Sequence, residues 1–262
     1  MARRTASELA YESAELLRTI AGKPGKHYTT ALIAAAGSST RMGSATSKQL
    51  LEIDGIPVLA RTLLAYEAAK TVHEIVIVAR KEEFDTFRAL AEQYKITKLK
   101  RITEGGATRQ DSVRRGLSAL SPKTRFVAIA DGARCLITPE LIDRVNLAAY
   151  RTDAASAAVP ATDTVKLTDG KGRAVQTPER DRVWLAQTPQ TFSLALYRAA
   201  AYHAKEKGMD ATDDNSLVEA VGYPVTLVDC GKENIKITTP GDLYIARAIL
   251  ARRADEAKEE RK

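Results

Sequence analysis

Ala34-Ala-Ala-Gly-Ser-Ser-Thr-Arg-Met-Gly43 runs from small side chains to an arginine, and Lys48 follows shortly after. Small residues around Gly37 let a backbone come close to a ligand. Successive N–H groups in such a loop make a concavity for an anion. Arg41 and Lys48 then set two positive charges beside it. This is chemistry suited to a polyphosphate. Two commoner phosphate motifs do not apply. A P-loop has lysine directly after its second glycine, where this chain has Ser44, and a dinucleotide fingerprint has glycine where this chain has Ser39.

Further polar groups recur along the chain. In Gly105-Gly-Ala-Thr-Arg-Gln-Asp-Ser-Val113 two glycines end a strand, Thr108 can cap the next helix, and Ser112 falls in its first turn. Alone, this is also an ordinary strand-to-helix connection. Asp131-Gly-Ala-Arg134 follows the apolar run Phe126–Ala130. An aspartate at a strand's carboxyl end suits Mg²⁺ or substrate hydroxyls, and equally a cap or an ion pair with Arg134. Asp163–Lys166, Arg180, Thr188–Gln190, Thr212-Asp213 and Asn234–Lys236 each fit a turn, a cap or a solvated face when taken singly.

Such residues need a frame that sets strand ends side by side. Ala31–Ala36, Glu74–Ala79, Leu99–Thr103 and Phe126–Ala130 have the length of buried strands. Pro57–Lys70 carries Val58, Leu59, Leu63, Tyr66 and Ala69 as a helical stripe, and Glu82–Tyr94 and Thr108–Leu120 predict two more helices. Thr138-Pro139 and Thr239-Pro240 each place a cap before a proline at the first helical position. The alternation predicts an α/β fold: a doubly wound, mostly parallel, Rossmann-like sheet covered on both faces, with ligands at its carboxyl ends. About residues 155–192 the helical period fails. Two turn clusters, Thr168–Gly172 and Thr177-Pro178, mark an inserted β-arm. The expected organisation is an N-terminal extension at 1–28, one domain at 29–252 and a charged tail at 253–262. The extension has Leu9, Leu16, Leu17 and Ile20 at helical spacing before a Gly22–Gly25 linker.

Composition narrows the class. The net charge is +7, yet the basic residues are dispersed and only 5% of residues are aromatic. That is poor for stacking bases, so no nucleic-acid partner is expected, while small polyphosphates fit. No apolar run approaches the ~20 residues of a membrane span. Arg3, Arg4, Glu8 and Glu12 near the start argue against a secretory signal or transit peptide. Two cysteines are too few for a disulfide framework or a zinc site, which points to a reducing cytoplasm.

Taken together and in order, these motifs resemble the 2-C-methyl-D-erythritol 4-phosphate cytidylyltransferase family. The matching pieces are Ala35–Met42 with Lys48, Gly105-Gly106 with Arg109–Val113, and Asp131–Arg134. They continue with Asp163–Lys166, Arg180 before Trp184, Gln187–Phe192, Thr212–Asp214 and Asn234–Thr238. The resemblance implies a nucleotidyltransferase fold and CMP transfer from CTP to a polyol phosphate, with Mg²⁺ acting mainly through the nucleotide phosphates and Asp131 a candidate ligand. It implies that Arg41 and Lys48 stabilise the transition state. Ala35, Ala36, Gly37 and Ser38 would hold the triphosphate, and Gly106 and Ser112 would recognise cytosine. Asp131, Arg134, Thr164, Arg180, Thr188, Thr212 and Lys236 would surround the acceptor, with Arg180 and Lys236 on its phosphate. It also implies a homodimer whose arms reach the partner's site. A ribitol 5-phosphate enzyme would share nearly all these motifs, and a non-catalytic nucleotide-binding module would be expected to lack Arg41, Lys48 or Asp131. Ala130, Gly132 and Cys135 depart from the usual His-Asp-Ala-Ala-Arg-Pro, and Ser47 stands where proline is common.

Overall fold

The computed structural model describes residues 27–37 and 47–259. The central sheet has seven strands: β1 (Thr29–Ala34), β4 (Val72–Ala79), β5 (Leu99–Glu104), β6 (Phe126–Asp131), β7 (Ala154–Pro160), β10 (Trp184–Ser193) and β11 (Thr226–Asp229). Their order is β11-β7-β10-β6-β1-β4-β5. β1 runs parallel to β4 and β6, β4 to β5, and β11 to β7. Only β10 is reversed, antiparallel to both β6 and β7. The expected mostly parallel α/β sheet is therefore present. Two small hairpins complete the strands: β2 (Glu52–Ile53) with β3 (Ile56–Pro57), and β8 (Leu167–Thr168) with β9 (Ala174–Gln176).

Side-chain alternation along the strands feeds two cores. Ala31, Ile33, Ile75 and Ile77 face one side, packed with Leu59, Leu63 and Tyr66 of α1 (Val58–Ala68) and Phe87 of α2 (Phe84–Gln93). Leu32, Val76 and Val78 face the other, packed with Val113 of α3 (Arg109–Leu117), Tyr197 of α5 (Leu194–Lys207) and Leu217 of α6 (Asp214–Ala220). Strands buried on both faces read as continuous apolar runs, and β1 and β4 do so. Between β6 and β7, α4 (Pro139–Thr152) starts as expected: Thr138 Oγ1 accepts from Leu141 N at 3.4 Å and Pro139 takes the first position.

Four expectations need correction. The segment 155–192 is not one projecting arm. Its ends are the paired core strands β7 and β10, because Ala154–Ala158 and Gln187–Phe192 are buried, and residues 161–183 form the excursion between them. Residues 27 and 28 belong to the domain, not to the extension. His27 stacks on Tyr150 with centroids 4.4 Å apart, and Arg125 N donates to the Tyr28 carbonyl at 2.8 Å. Residues 253–259 of the charged tail are helical, since α7 runs Pro240–Glu259. Arg253 anchors it with bonds to Glu233 at 2.9 Å and to the Leu136 carbonyl. Finally, Thr239 does not cap α7 with its side chain. Asp242 reaches back instead, accepting from the N–H groups of Thr238 and Thr239, both at 2.7 Å.

Candidate active site

The carboxyl ends of β1, β4, β5 and β6 meet in one place. Ala35 N donates to the Val78 carbonyl, Gly105 N to the Ala79 carbonyl, and Gly132 N to the Ala34 carbonyl. Glycine is required after β5. A Cβ on Gly105 would lie 2.6 Å from Ala36 Cβ, and one on Gly106 would lie 2.3 Å from Asp111 Cβ. The loops therefore close up with a small cleft between them, lined by Ala36, Arg80, Lys81, Glu104, Gly105 and Gly106. Thr108 caps α3 as expected, its hydroxyl accepting from Asp111 N at 3.0 Å. Ser112 is buried beneath the cleft. Its hydroxyl accepts from Gly106 N at 3.0 Å and donates to the Thr108 carbonyl at 2.9 Å.

Lys48 opens a 3-10 turn, Lys48–Leu50, at the same end of the sheet. Gln49 is buried beside the turn after β6, with its Oε1 3.1 Å from where a Gly132 Cβ would stand. The glycine that replaces the family's usual alanine thus gives this side chain room. Gly37 is exposed at the end of β1. Ser38 and Arg41 lie outside the described residues, as does the N-terminal extension up to residue 26.

The centre of the site is Asp131, the last residue of β6 and 8% exposed. Lys236 Nζ is 2.8 Å from its Oδ2, Arg134 Nε 3.7 Å from that oxygen, and Arg109 Nε 3.6 Å from Oδ1. Burial opposes its ionisation, but these three cations outweigh burial and hold the carboxyl below its usual range. Its N–H donates to Thr188 Oγ1 at 3.0 Å. Arg134 Nη1 donates to the Asn234 carbonyl at 2.6 Å, and Asn234 Nδ2 donates to Gln187 Oε1 and the Thr188 carbonyl. One network therefore joins Asp131, Arg134, Thr188 and Lys236.

Four participants were not singled out from the sequence as site residues: Arg109, Gln190, Tyr197 and Asp214. Arg109 Nη2 lies 2.7 Å from Asp214 Oδ2, and Tyr197 donates to Asp214 Oδ1 at 2.5 Å. Burial pushes the Asp214 carboxyl up, against the pull of Arg109 and Tyr197. Gln190 Oε1 accepts from the N–H groups of Asp214 and Asn215, while its Nε2 donates to Asp213 Oδ2. That locks the segment after Thr212 onto β10. The available signal was motif membership, since Arg109, Gln190 and Asp214 all fall within the quoted motifs.

Thr164 and Arg180 are not brought to this cluster. Both are exposed on the 161–183 excursion, and Arg180 Nη1 donates to the Thr162 carbonyl at 3.2 Å. The departures Ala130 and Cys135 are buried. Cys135 sits among Ile53, Val58 and Ile237, and burial pushes its thiol up to about 11, so it offers no thiolate near neutral pH. Asp131 is a poor metal ligand, because its carboxylate already faces three cations. Among the described residues no group of three His, Cys, Asp or Glu side chains could hold a metal ion.

A cluster of three cations around one carboxylate, with a glycine-lined cleft at the carboxyl ends of the same mostly parallel sheet, defines an α/β enzyme for phosphorylated substrates. Residues 29–252 match the family model IspD: 2-C-methyl-D-erythritol 4-phosphate cytidylyltransferase. A curated protein of that name from Microcystis aeruginosa is 45% identical over 222 residues, covering 85% of this chain and 98% of the relative. The solved 4-diphosphocytidyl-2C-methyl-D-erythritol synthase of Anaerococcus prevotii superposes with a TM-score of 0.78 at 32% identity, over 86% of this chain and 97% of that one. The Thermus thermophilus 2-C-methyl-D-erythritol 4-phosphate cytidylyltransferase gives 0.68 at 36% identity, over 85% and 98%. The chain belongs to the 2-C-methyl-D-erythritol 4-phosphate cytidylyltransferase family, and is a CTP-dependent nucleotidyltransferase. Among the described residues no helix is long and apolar enough to cross a membrane.

Proposed function

We infer that the chain transfers CMP from CTP to 2-C-methyl-D-erythritol 4-phosphate, giving 4-diphosphocytidyl-2-C-methyl-D-erythritol and pyrophosphate. Family membership over residues 29–252 carries this reading, and the Asp131 cluster supplies the local chemistry. An oxygen of the acceptor phosphate attacks the α-phosphorus, and the bond to the β-phosphate oxygen breaks as pyrophosphate leaves. That oxygen is already anionic, so no general base is needed. The difficulty is to bring two anions together in line, which makes positioning and charge stabilisation the main sources of rate.

In this reading Ala35, Ala36, Gly37 and Ser38 cradle the triphosphate, and Gly106 and Ser112 read the cytosine. Arg41 and Lys48 face the charge growing on the α-phosphate and the leaving group. Asp131, Arg134, Thr188 and Thr212 line the acceptor's alcohol, and Lys236 takes its phosphate. Mg²⁺ would be held mainly by the CTP phosphates, where it would neutralise their charge, because the Asp131 carboxylate is committed to Lys236, Arg134 and Arg109. Thr164 and Arg180 serve the partner's site in a homodimer. The exposed apolar side chains Leu167, Val175 and Leu185 on and beside the excursion support such a partner surface. Cys135 and Cys230 are both buried and not joined in a disulfide, which fits a reducing cytoplasm.

The test is pyrophosphate release with CTP, Mg²⁺ and either methylerythritol phosphate or ribitol 5-phosphate. Turnover is expected with the first. Preference for the second, or for ATP over CTP, overturns the substrate assignment.

A further inference from the structure

Asp131 has more positive charge around it than one carboxylate requires, and its three cations are held differently. Arg134 is fixed by its bond to the Asn234 carbonyl. Arg109 is fixed at Nη2 by Asp214, which is buried and held in turn by Tyr197 and by Gln190. Lys236 has no such backing: among the described residues its ion pair is to Asp131 alone.

We propose that Arg109 is a positioning residue, which retains the Asp131 carboxylate while Lys236 turns to the acceptor's phosphate. The inference rests on the phosphate-binding role given to Lys236 above. A phosphate approaching Asp131 meets a like charge, and drawing Lys236 toward it strips that carboxylate of its closest counter-charge. A buried carboxylate without a partner is costly. Arg109 already faces Oδ1, the oxygen that Lys236 does not occupy. It cannot follow the phosphate itself, because leaving would strand the buried Asp214. The division suits the two side chains. A guanidinium reaches two carboxylates with different nitrogens, whereas an ammonium is a single charge on a flexible stem.

The experiment is steady-state kinetics on the full chain. Arg109→Gln leaves the buried Asp214 without its cation, so it is also made with Asp214→Asn, which removes both charges. In each background KM for methylerythritol phosphate should rise about tenfold or more, with KM for CTP within about twofold. Adding Asp131→Asn should then abolish most of the Arg109 effect, since no carboxylate remains to be retained. Equal rises in both KM values, or full additivity with Asp131→Asn, overturn the inference. Failure of the functional reading looks different: the wild type itself would release no pyrophosphate with this acceptor.

Discussion

The Asp131 cluster and the 161–183 excursion spring from the same strands, yet they are held in opposite ways. Around Asp131, groups from β6, β10, α3, α6 and the loop before α7 bond to one another in a buried network. On the excursion, β8 and β9 are two and three residues long, and most bonds are local, such as Arg173 to Asp169 and Lys166 to Thr177, with an exposed bond from Lys232 to Thr162 at its start. Val175 is 65% exposed and Leu167 46%. An isolated short hairpin is marginal in water, and the proposed homodimer would give this one a surface to rest on. Polar groups whose positions the chain over-determines belong to its own site. In the proposed homodimer, those carried on the hairpin serve the partner's site.

The sharpest way to break this contrast is to mutate one residue in each region. Asp131→Asn should lower kcat/KM on the order of a hundredfold and also lower Tm by roughly 5–10 °C, because three facing cations lose their counter-charge. Arg180→Ala should lower kcat/KM by a similar factor of about a hundred, with Tm within ~1 °C, because its side-chain hydrogen bond to the Thr162 carbonyl is exposed. Thermal melts beside kinetics decide. A large Tm loss in Arg180→Ala would show that the excursion is part of the home fold.

Mixed dimers sharpen the point further. Lys48→Ala and Arg180→Ala, each nearly inactive, should recover about a quarter of the wild-type sites after joint unfolding and refolding. Half of the random dimers are mixed, and each mixed dimer has one site with both residues intact. A mixture that dimerises yet stays as inactive as its parents places Arg180 in its own chain's site.

A smaller effect probes the cleft. Gly105→Ala puts a methyl 2.6 Å from Ala36 Cβ and 2.9 Å from Ser112 Oγ. Overpacking of that kind costs about 1–3 kcal/mol. If the loops part to relieve it, KM for CTP should rise roughly tenfold with KM for the acceptor little changed. An unchanged KM for CTP would separate this cleft from nucleotide binding.

What the sequence disclosed follows the physics of each element. The apolar runs of β1 and β4 and the Thr108 and Thr138 caps are local, and all were legible. The helix at Leu194–Lys207 was not, because much of its buried face is Ala200 and Ala204, which give little contrast with the exposed alanines. β11 was missed as a short, largely exposed edge strand. Residues beyond 253 read as a charged tail because their anchor, Glu233, lies in a separate loop. The Arg109–Asp214 pair joins two motifs distant in sequence, so neither residue was singled out until the fold brought them together.

The two carboxylates that share Arg109 allow the finest test, because they should titrate with opposite effects on stability. The cations lower the Asp131 carboxyl, whereas burial raises that of Asp214. A lowered carboxyl stabilises the fold above the unfolded value of about 4 and loses that contribution as pH falls through the folded value. A raised one does the reverse: its favourable contribution is present below the unfolded value and is lost as pH rises through the folded one. Urea unfolding of the wild type, Asp131→Asn and Asp214→Asn from about pH 3 to 7 separates them. The stability advantage of wild type over Asp131→Asn should grow as pH rises across the acid end of this range. Its advantage over Asp214→Asn should shrink as pH rises. Slopes of the same sign for both variants would mean that Arg109 holds Asp214 as readily ionised as Asp131, and that burial does not separate the two acids.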